Sequence, residues 1–210
     1  MRIGVIDYGM GNLFSVEQAL KRIGAEVIVT AQEAQLQEVD ALVLPGVGAF
    51  PDAMKRLQET GLIDFIKATT KPLLGICLGM QLLFEESDEV TPTKGLGIFT
   101  GRITKFTNVP RIPHMGWNEL AINKQPNWLS IPNERYVYFV HSFYVTKMNV
   151  NELVAFADYA GIQVPGIVAK GNYTGMQFHP EKSGEFGMYL LQQWLEGVKK
   201  HANKTYYSVS

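Results

Sequence analysis

The chain contains several short, nearly continuous apolar runs that are rich in β-branched residues. Strands that face water on one side alternate between apolar and polar residues, whereas strands that are buried on both faces do not. The runs therefore predict a parallel sheet that is covered by helices on both faces. The predicted strands are Ile3–Ile6, Val27–Val29, Ala41–Leu44, Leu73–Ile76, Tyr136–Val140, Ile167–Ala169 and Gly175–Phe178.

Helices are predicted between and after these strands. Apolar residues three or four positions apart lie on one face of a helix. This spacing is found at Leu13, Val16, Leu20 and Ile23, and again at Phe186, Tyr189, Leu190 and Trp194. The first half has the order β-α-β-β-α-β-α, which predicts an α/β fold with an open, twisted, mostly parallel sheet and helices on both faces. The segment from Gly95 to Pro132 predicts no clear element.

The composition limits the organisation and the partners of the chain. With 210 residues, 46% of them hydrophobic, we expect a single domain over residues 1–200 and a polar tail over residues 201–210. A formal net charge of −1 gives no reason to expect nucleic acid or an anionic membrane as a partner. No apolar stretch approaches the roughly 20 residues that span a bilayer, and the run before Asp7 is too short for a signal-peptide core. We expect a cytoplasmic protein with no disulfide, metal ion or cofactor.

A nucleophile is predicted where the strand that ends at Ile76 meets the next helix. Cys77, the only cysteine, lies between Gly75 and Gly79, just before a helical run that begins at Met80. This is the form of a nucleophile elbow, in which glycines let backbones pass where a Cβ atom would clash. A lone cysteine is more often a buried structural residue, but the two glycines at this position favour the nucleophile.

A general base for this cysteine is predicted at His179-Pro180-Glu181. A cysteine nucleophile needs a base within hydrogen-bond reach, and the base needs an acceptor on its other ring nitrogen. Residues two apart in an extended segment point to the same side, so we expect an extended segment in which Glu181 contacts His179. Taken singly, a hydrogen-bonded surface histidine and a solvated carboxylate remain the alternatives.

Backbone donors for an oxyanion are predicted after the third strand. In Pro45-Gly46-Val47-Gly48, the glycines on both sides of Val47 let a peptide N–H turn toward a developing negative charge. The N–H of Leu78 is the predicted second donor. An ordinary tight turn is the alternative. Because sites in such sheets lie beyond the carboxyl ends of the strands, we expect these donors to meet the cysteine there.

At these residues the sequence resembles the class I glutamine amidotransferases, whose pattern is G-x-C-x-G-x-Q followed much later by H-P-E. Residues 75–81 and 179–181 match this pattern. Within the class, the chain is similar to the glutaminase subunits of imidazole glycerol phosphate synthase, an enzyme of histidine biosynthesis. The segments that carry the closer similarity are 6–13, 44–50, 112–118, 138–144 and 177–183. The resemblance covers almost the whole chain and implies a flavodoxin-like α/β fold.

The resemblance implies a glutaminase that hydrolyses L-glutamine to glutamate and ammonia. Cys77 is the implied nucleophile, His179 its base and Glu181 the group that orients the base. The implied substrate-binding residues are Gln81, Glu89, Ser142 and Phe143. In an isolated chain we expect very slow turnover. The expected switch is a rotation of the Val47–Gly48 peptide, which would supply or remove an oxyanion donor.

The resemblance also implies a partner. In this family ammonia passes to a (β/α)8-barrel cyclase subunit, and the heterodimer forms imidazole glycerol phosphate and aminoimidazole carboxamide ribotide. Ammonia that enters water near neutral pH becomes ammonium and loses its nucleophilicity, so a sealed path matters. The candidate docking residues are Asn12, Trp117, Asn118, Tyr138 and Lys182. The alternatives are a glutaminase that serves another synthase (pyridoxal phosphate or anthranilate type), a stand-alone cysteine hydrolase, and a non-catalytic binding protein.

Overall fold

The computed structural model describes residues 1–124, 126–130, 132 and 135–207, with side chains described up to Lys200. Its strands are β1 (Arg2–Ile6), β2 (Glu26–Thr30), β3 (Ala41–Leu44), β4 (Leu73–Ile76), β5 (Glu86–Ser87), β6 (Thr93–Lys94), β7 (Arg102–Lys105), β8 (His114–Glu119), β9 (Ala121–Ile122), β10 (Tyr136–His141), β11 (Phe143–Thr146), β12 (Leu153–Tyr159), β13 (Ile162–Lys170) and β14 (Tyr173–Met176). Its helices are α1 (Leu13–Arg22), α2 (Glu33–Gln37), α3 (Phe50–Glu59), α4 (Ile63–Ala68), α5 (Leu78–Leu82) and α6 (Gly184–Tyr207).

A mixed sheet of 8 strands in the order β2-β1-β3-β4-β14-β13-β12-β9 forms the centre of the protein. The strands from β2 to β14 in this order are mutually parallel, and β13, β12 and β9 continue the sheet antiparallel. The order β2-β1-β3-β4 is that of flavodoxin-like, doubly wound sheets, in which the ligand crevice lies beyond the carboxyl ends of the strands. The predicted fold class is confirmed.

The parallel strands are apolar throughout because their two faces enter two separate cores. On β3, Ala41 and Val43 belong to the core that includes residues of α1 and α6. Leu42 and Leu44 belong to the core on the opposite face, with residues of α2, α3, α4 and α5. Strict alternation is absent from these runs because neither face of the strand meets water.

Two smaller sheets lie beside the central one. The first is an antiparallel pair of β8 and β10, here called the ribbon, and the second has the order β11-β7-β5-β6. The predicted strand at Tyr136–Val140 is confirmed as β10, but it belongs to the ribbon and not to the parallel sheet. Val137 and Phe139 are buried whereas Tyr136 is exposed. The run lacked polar alternation because the outward-facing residues of β10 are also tyrosine and valine.

Other elements differ from the sequence prediction at their ends or were missed. The helix α2 was not predicted, because a five-residue helix with only Leu36 buried has no periodic pattern to detect. The segment that gave no clear prediction contains β7, β8 and β9. The helix α6 continues to Tyr207, into the predicted tail, and residues 208–210 of that tail lie outside the described residues. Among the described residues, no helix is long and apolar enough to cross a membrane.

Candidate active site

Cys77 lies at the turn from β4 to α5 in a backbone conformation that L residues rarely adopt, with φ 54° and ψ −115°. Its N–H donates to the Met176 carbonyl of β14 at 2.8 Å, which fixes the turn at the end of the sheet. A Cβ atom at Gly79 would lie 1.8 Å from the Leu44 carbonyl oxygen, and one at Gly75 would lie 2.8 Å from the Gly79 oxygen. The close approach of the two backbones therefore requires glycine on both sides, as in a nucleophile elbow.

His179 and Glu181 are in contact at the end of β14. The Nδ1 atom of His179 lies 2.8 Å from Oε1 of Glu181, and both side chains are almost completely buried. The predicted extended segment is wrong, because Pro180–Lys182 forms a 3₁₀ turn that brings the carboxylate back to the ring. The second carboxylate oxygen, Oε2, has no hydrogen-bond partner among the described residues. Glu181 is thus positioned to orient the ring and to balance its charge.

Cys77 and Glu181 both act on the pKa of His179. Burial, the largest single effect, lowers the pKa of His179. The hydrogen bonds with Cys77 and Glu181, and the negative charges of these two groups, outweigh burial and raise the pKa to about 10. Near neutral pH the imidazole ring therefore carries the proton and lies beside the sulfur atom.

A cavity of about 410 Å³ lies over Cys77. The predicted site residues that line it are Val47, Gly48, Cys77, Leu78, Gln81, Glu89, Ser142, Phe143, His179 and Lys182, together with Pro113, Val140 and His141. Glu181 lies behind the His179 ring and does not line the cavity. In the part of the chain that the structure describes, no group of three His, Cys, Asp or Glu side chains could hold a metal ion.

Tyr8 anchors the base of the predicted oxyanion segment, Gly46–Gly48. Its hydroxyl donates to the Pro45 carbonyl at 2.8 Å, and burial raises the pKa of Tyr8, so that the hydroxyl remains a donor. A Cβ atom at Gly46 would lie 2.7 Å from this hydroxyl and 2.7 Å from a backbone nitrogen of the elbow. Gly48 has φ +101°, in the region that favours glycine. The base of the segment is clamped, whereas its tip lines the open cavity.

Two of the predicted substrate-binding residues are already held in place by neighbours. The Nε2 group of Gln81 donates to the Phe143 carbonyl at 3.0 Å and to Oε1 of Gln177 at 2.9 Å. The Oε2 atom of Glu89 accepts the Phe50 N–H at 2.9 Å, at the first residue of α3. Burial raises the pKa of Glu89 above its usual value, and this hydrogen bond offsets only part of the rise. Both side chains therefore enter the cavity in a fixed orientation.

Three polar residues at the site were not among the predicted ones: Tyr8, His141 and Gln177. His141 lines the cavity, but both of its ring nitrogens are occupied. Its Nδ1 lies 2.8 Å from the Phe143 carbonyl oxygen, and its Nε2 lies 3.1 Å from Nδ1 of His114. With no free nitrogen, His141 is unsuited to act as a base toward Cys77. The signal in the sequence was the position of His141 at the end of an apolar run.

The predicted docking residues divide by the direction of their side chains. Trp117 is 55% exposed on the ribbon and meets Tyr138 edge to face, with ring centroids 5.9 Å apart. Lys182 is also exposed, at the cavity. Asn118 lies on the inner face of the ribbon, where its amide contacts a histidine ring at 2.8 Å. The side chain of Asn12 accepts a backbone N–H at the start of α1 and so serves as its N-cap.

Comparison with known proteins identifies the family. Residues 4–197 match the family model of the class I glutamine amidotransferases. The chain is 49% identical to imidazole glycerol phosphate synthase subunit HisH of Geobacillus thermodenitrificans, over 96% of this chain and 98% of that protein. It is 52% identical to the same subunit of Bacillus cereus, over 93% of this chain and 94% of that protein. The chain belongs to the HisH family of class I glutamine amidotransferases.

Two solved structures share the fold of this chain. The structure of PurLQS from Thermotoga maritima matches with a TM-score of 0.75 at 21% identity, covering 94% of this chain and 98% of that chain. A putative GMP synthase subunit from Thermoplasma acidophilum matches with a TM-score of 0.74 at 18% identity, covering 98% of this chain and 97% of that chain. At these identities the matches support the fold alone. The HisH family itself confirms the resemblance that the motifs indicated.

For this member of the HisH family we expect His179 to contribute less to stability as the pH rises. Folding raises the pKa of His179 from 6.5 to about 10. The folded chain therefore binds this proton more tightly, and the contribution is complete below about pH 6.5 and is lost as the pH rises through about 10. The free energy of unfolding in urea, measured across this range, should fall more steeply in the wild-type chain than in His179→Gln.

The control for this pH series is His141→Gln. Burial lowers the pKa of His141 to about 3, and a histidine with a lowered pKa makes stability depend on pH only below its unfolded value of about 6.5. The control should therefore keep the wild-type slope above about pH 7. If His141→Gln removed this slope, or if His179→Gln retained it, the assignment of the raised pKa to His179 would be wrong.

Proposed function

We propose that this chain hydrolyses the side-chain amide of L-glutamine and delivers the ammonia to a (β/α)8-barrel cyclase subunit of imidazole glycerol phosphate synthase. The observation that carries the proposal is the convergence of Cys77, His179 and Glu181 at one end of the sheet, beside a cavity. Their separation in sequence makes a chance meeting of a strained cysteine, an imidazole and a buried carboxylate a poor explanation. Membership of the HisH family supports the same reaction and its place in histidine biosynthesis.

The reaction begins with the proton on His179 and the negative charge on the sulfur of Cys77. The sulfur attacks the amide carbon of glutamine, and the N–H groups of Gly48 and Leu78 stabilise the oxyanion. His179 gives its proton to the departing nitrogen, which leaves as ammonia, and a γ-glutamyl thioester remains on Cys77. His179 then accepts a proton from water as the water attacks the thioester. Glutamate leaves, and the charged pair is restored.

The cavity supplies groups for both ends of the substrate. Glu89 is a carboxylate in the wall, and it suits the α-ammonium group of an amino acid. Gln81 is held beside the elbow, close to where the amide of the substrate must lie for attack. Ser142, which connects β10 to β11, and Phe143, the first residue of β11, also line the cavity. A cavity of this polarity with fixed donors and acceptors fits a small, charged amide such as L-glutamine.

The outer face of the ribbon supports the proposed docking of the barrel subunit. Met115, Trp117 and Tyr136 are exposed there at 46%, 55% and 54%. A contiguous group of exposed aromatic and methionine side chains is typical of a protein interface. The ribbon lies directly beside the cavity, since Val140 and His141 at the end of β10 line it. A partner on this face would cover the route by which ammonia leaves, and Lys182 would lie at its edge.

The proposal is tested by titrating a purified barrel cyclase subunit into the chain and measuring glutamate release, with and without the nucleotide acceptor. We expect very slow release by the chain alone and a rise that saturates at one barrel subunit per chain. Trp117→Ala should raise the barrel concentration needed for half the maximal rate by about tenfold or more, because exposed tryptophans often dominate interfaces.

Val150→Ala is the matched control for docking. Val150 is 62% exposed, and it lies outside the ribbon, in the 3₁₀ turn that precedes β12. This variant should titrate like the wild-type chain. Full glutamate release without the barrel would favour a stand-alone hydrolase. A lack of response to the barrel, together with activity in the presence of another synthase, would favour a glutaminase that serves that synthase.

A further inference from the structure

A network of buried polar contacts forms one wall of the cavity and joins all three sheets. It runs through Gln177 after β14, Gln81 of α5, Phe143 of β11, His141 of β10 and His114 of β8. Gln177, Gln81, His141 and His114 are all less than 8% exposed. Buried polar groups favour defined partners, so these contacts constrain the directions of the donors and acceptors that they join. Among the described residues, Nε2 of Gln177 is the group of this network that is buried without a partner.

The carbonyl of Phe143 determines the tautomer of His141. A carbonyl oxygen only accepts, so Nδ1 of His141 must carry the proton that bridges the 2.8 Å contact. The other nitrogen, Nε2, lies 3.1 Å from Nδ1 of His114. Burial lowers the pKa of both rings, in agreement with a neutral His141 whose one proton is on Nδ1. His141 therefore presents no free nitrogen to the cavity and influences it only through Phe143.

The same carbonyl determines the orientation of the Gln81 amide. Its Nε2 group has two hydrogens, and these are directed to the Phe143 carbonyl at 3.0 Å and to Oε1 of Gln177 at 2.9 Å. The oxygen of the Gln81 amide is left for the cavity that this residue lines. Gln81 thus offers an acceptor to the substrate. A reversed amide would place its oxygen against the Phe143 carbonyl oxygen, which is unfavourable.

We propose that His141 is a positioning residue for glutamine binding. It holds the Phe143 carbonyl so that the Gln81 amide turns its oxygen toward the cavity, where this oxygen accepts an N–H of the substrate. The proposal rests on the proposed glutaminase function. His114 packs behind the ring, with its Nδ1 atom 3.1 Å from Nε2 of His141. The Gln81 oxygen suits a donor group of the substrate, either the α-ammonium group or the amide nitrogen of glutamine.

Two substitutions separate the two ring nitrogens of His141. In His141→Asn the side-chain nitrogen occupies the position of Nδ1 and still donates to Phe143, whereas the contact with His114 is lost. In His141→Gln the amide reaches the position of Nε2, and the contact with Phe143 is lost. Each variant loses one buried contact, so a merely structural role predicts similar effects from both. The two variants are therefore controls for each other.

The experiment measures KM and kcat for glutamine with the barrel subunit present, and ammonium-driven synthesis as a check on assembly. We expect His141→Gln to raise KM about tenfold or more and His141→Asn to stay close to wild type, with kcat changed less than KM in both. Calorimetric binding of L-glutamine to the same variants in a Cys77→Ala background should show the same order. The ¹⁵N NMR spectrum of the wild-type chain should show His141 neutral, with the proton on Nδ1.

Each outcome decides the proposal separately from the proposed function. Equal KM values for the two variants, a larger KM for His141→Asn, or a proton on Nε2 of His141 would each overturn the positioning role. If the wild-type chain released no glutamate with the barrel subunit, the proposed function would fail instead. In that case the NMR tautomer and the binding of glutamine to the Cys77→Ala variants still decide whether His141 organises a glutamine pocket.

Discussion

Cys77→Ser should lower glutamine-dependent synthesis by on the order of 10⁴-fold or more while leaving ammonium-driven synthesis by the assembled enzyme unchanged. The hydroxyl of serine is a far weaker nucleophile than a sulfur atom whose charge is paired with the proton on His179. The substitution keeps the size of the side chain, and the strained turn at φ 54° is a property of the backbone. The measurement is product formation by the complex with each nitrogen source in turn.

Cys77→Ala is the companion variant, because it removes the attacking atom entirely. We expect alanine and serine to be equally inactive with glutamine, since the chemistry belongs to the thiol. A glutamine-analogue alkylator such as a diazo-oxo-norleucine should label the wild-type chain and neither variant. Equal loss with glutamine and with ammonium salts would mean that Cys77 supports the structure of the complex, and it would remove the cysteine from its role as nucleophile.

The parallel sheet and the elbow were predictable because each depends on residues that are close together in the sequence. A strand that is buried on both faces must be apolar at successive positions, as Ala41–Leu44 is. The elbow needs glycine where two backbones come closer than a Cβ atom allows, so Gly75 and Gly79 identify Cys77 without knowledge of any distant residue. The position of His179 followed from the chemistry that a cysteine nucleophile requires.

Most residues that line the cavity were predicted, but the hydrogen bonds between them were not, because these bonds join residues that are far apart in sequence. Gln81 and Gln177 are 96 positions apart and belong to different elements. His141 gave only a weak signal, since its role depends on the carbonyl of a residue in another sheet. The direction of Asn118 depended on which residues of the ribbon face inward. The sequence did not show which alternate positions face inward, because the outward-facing and inward-facing positions of β10 are both apolar or aromatic.

The close packing at Gly79 also gives a prediction for stability. The expected change in the free energy of unfolding is opposite in sign to the change that helix propensity alone would give. Gly79 lies inside α5, and replacement of a helical glycine by alanine normally stabilises a protein by about 1 kcal/mol. Here a Cβ atom would lie 1.8 Å from the Leu44 carbonyl oxygen. To relieve this overlap, α5 and β3 must move apart. We expect Gly79→Ala to lower the free energy of unfolding by more than about 3 kcal/mol. Thermal unfolding should then occur about 10 °C lower.

Gly161→Ala is the control that separates this overlap from the general cost of replacing a glycine. Gly161 has φ +80° and no atom within 4 Å of the added Cβ, in the turn between β12 and β13. Alanine should cost only about 1 kcal/mol there, the usual penalty of a left-handed conformation. If Gly79→Ala were as stable as this control, the helix and the strand would have room to separate. The elbow would then hold Cys77 less rigidly than close packing of α5 against β3 requires.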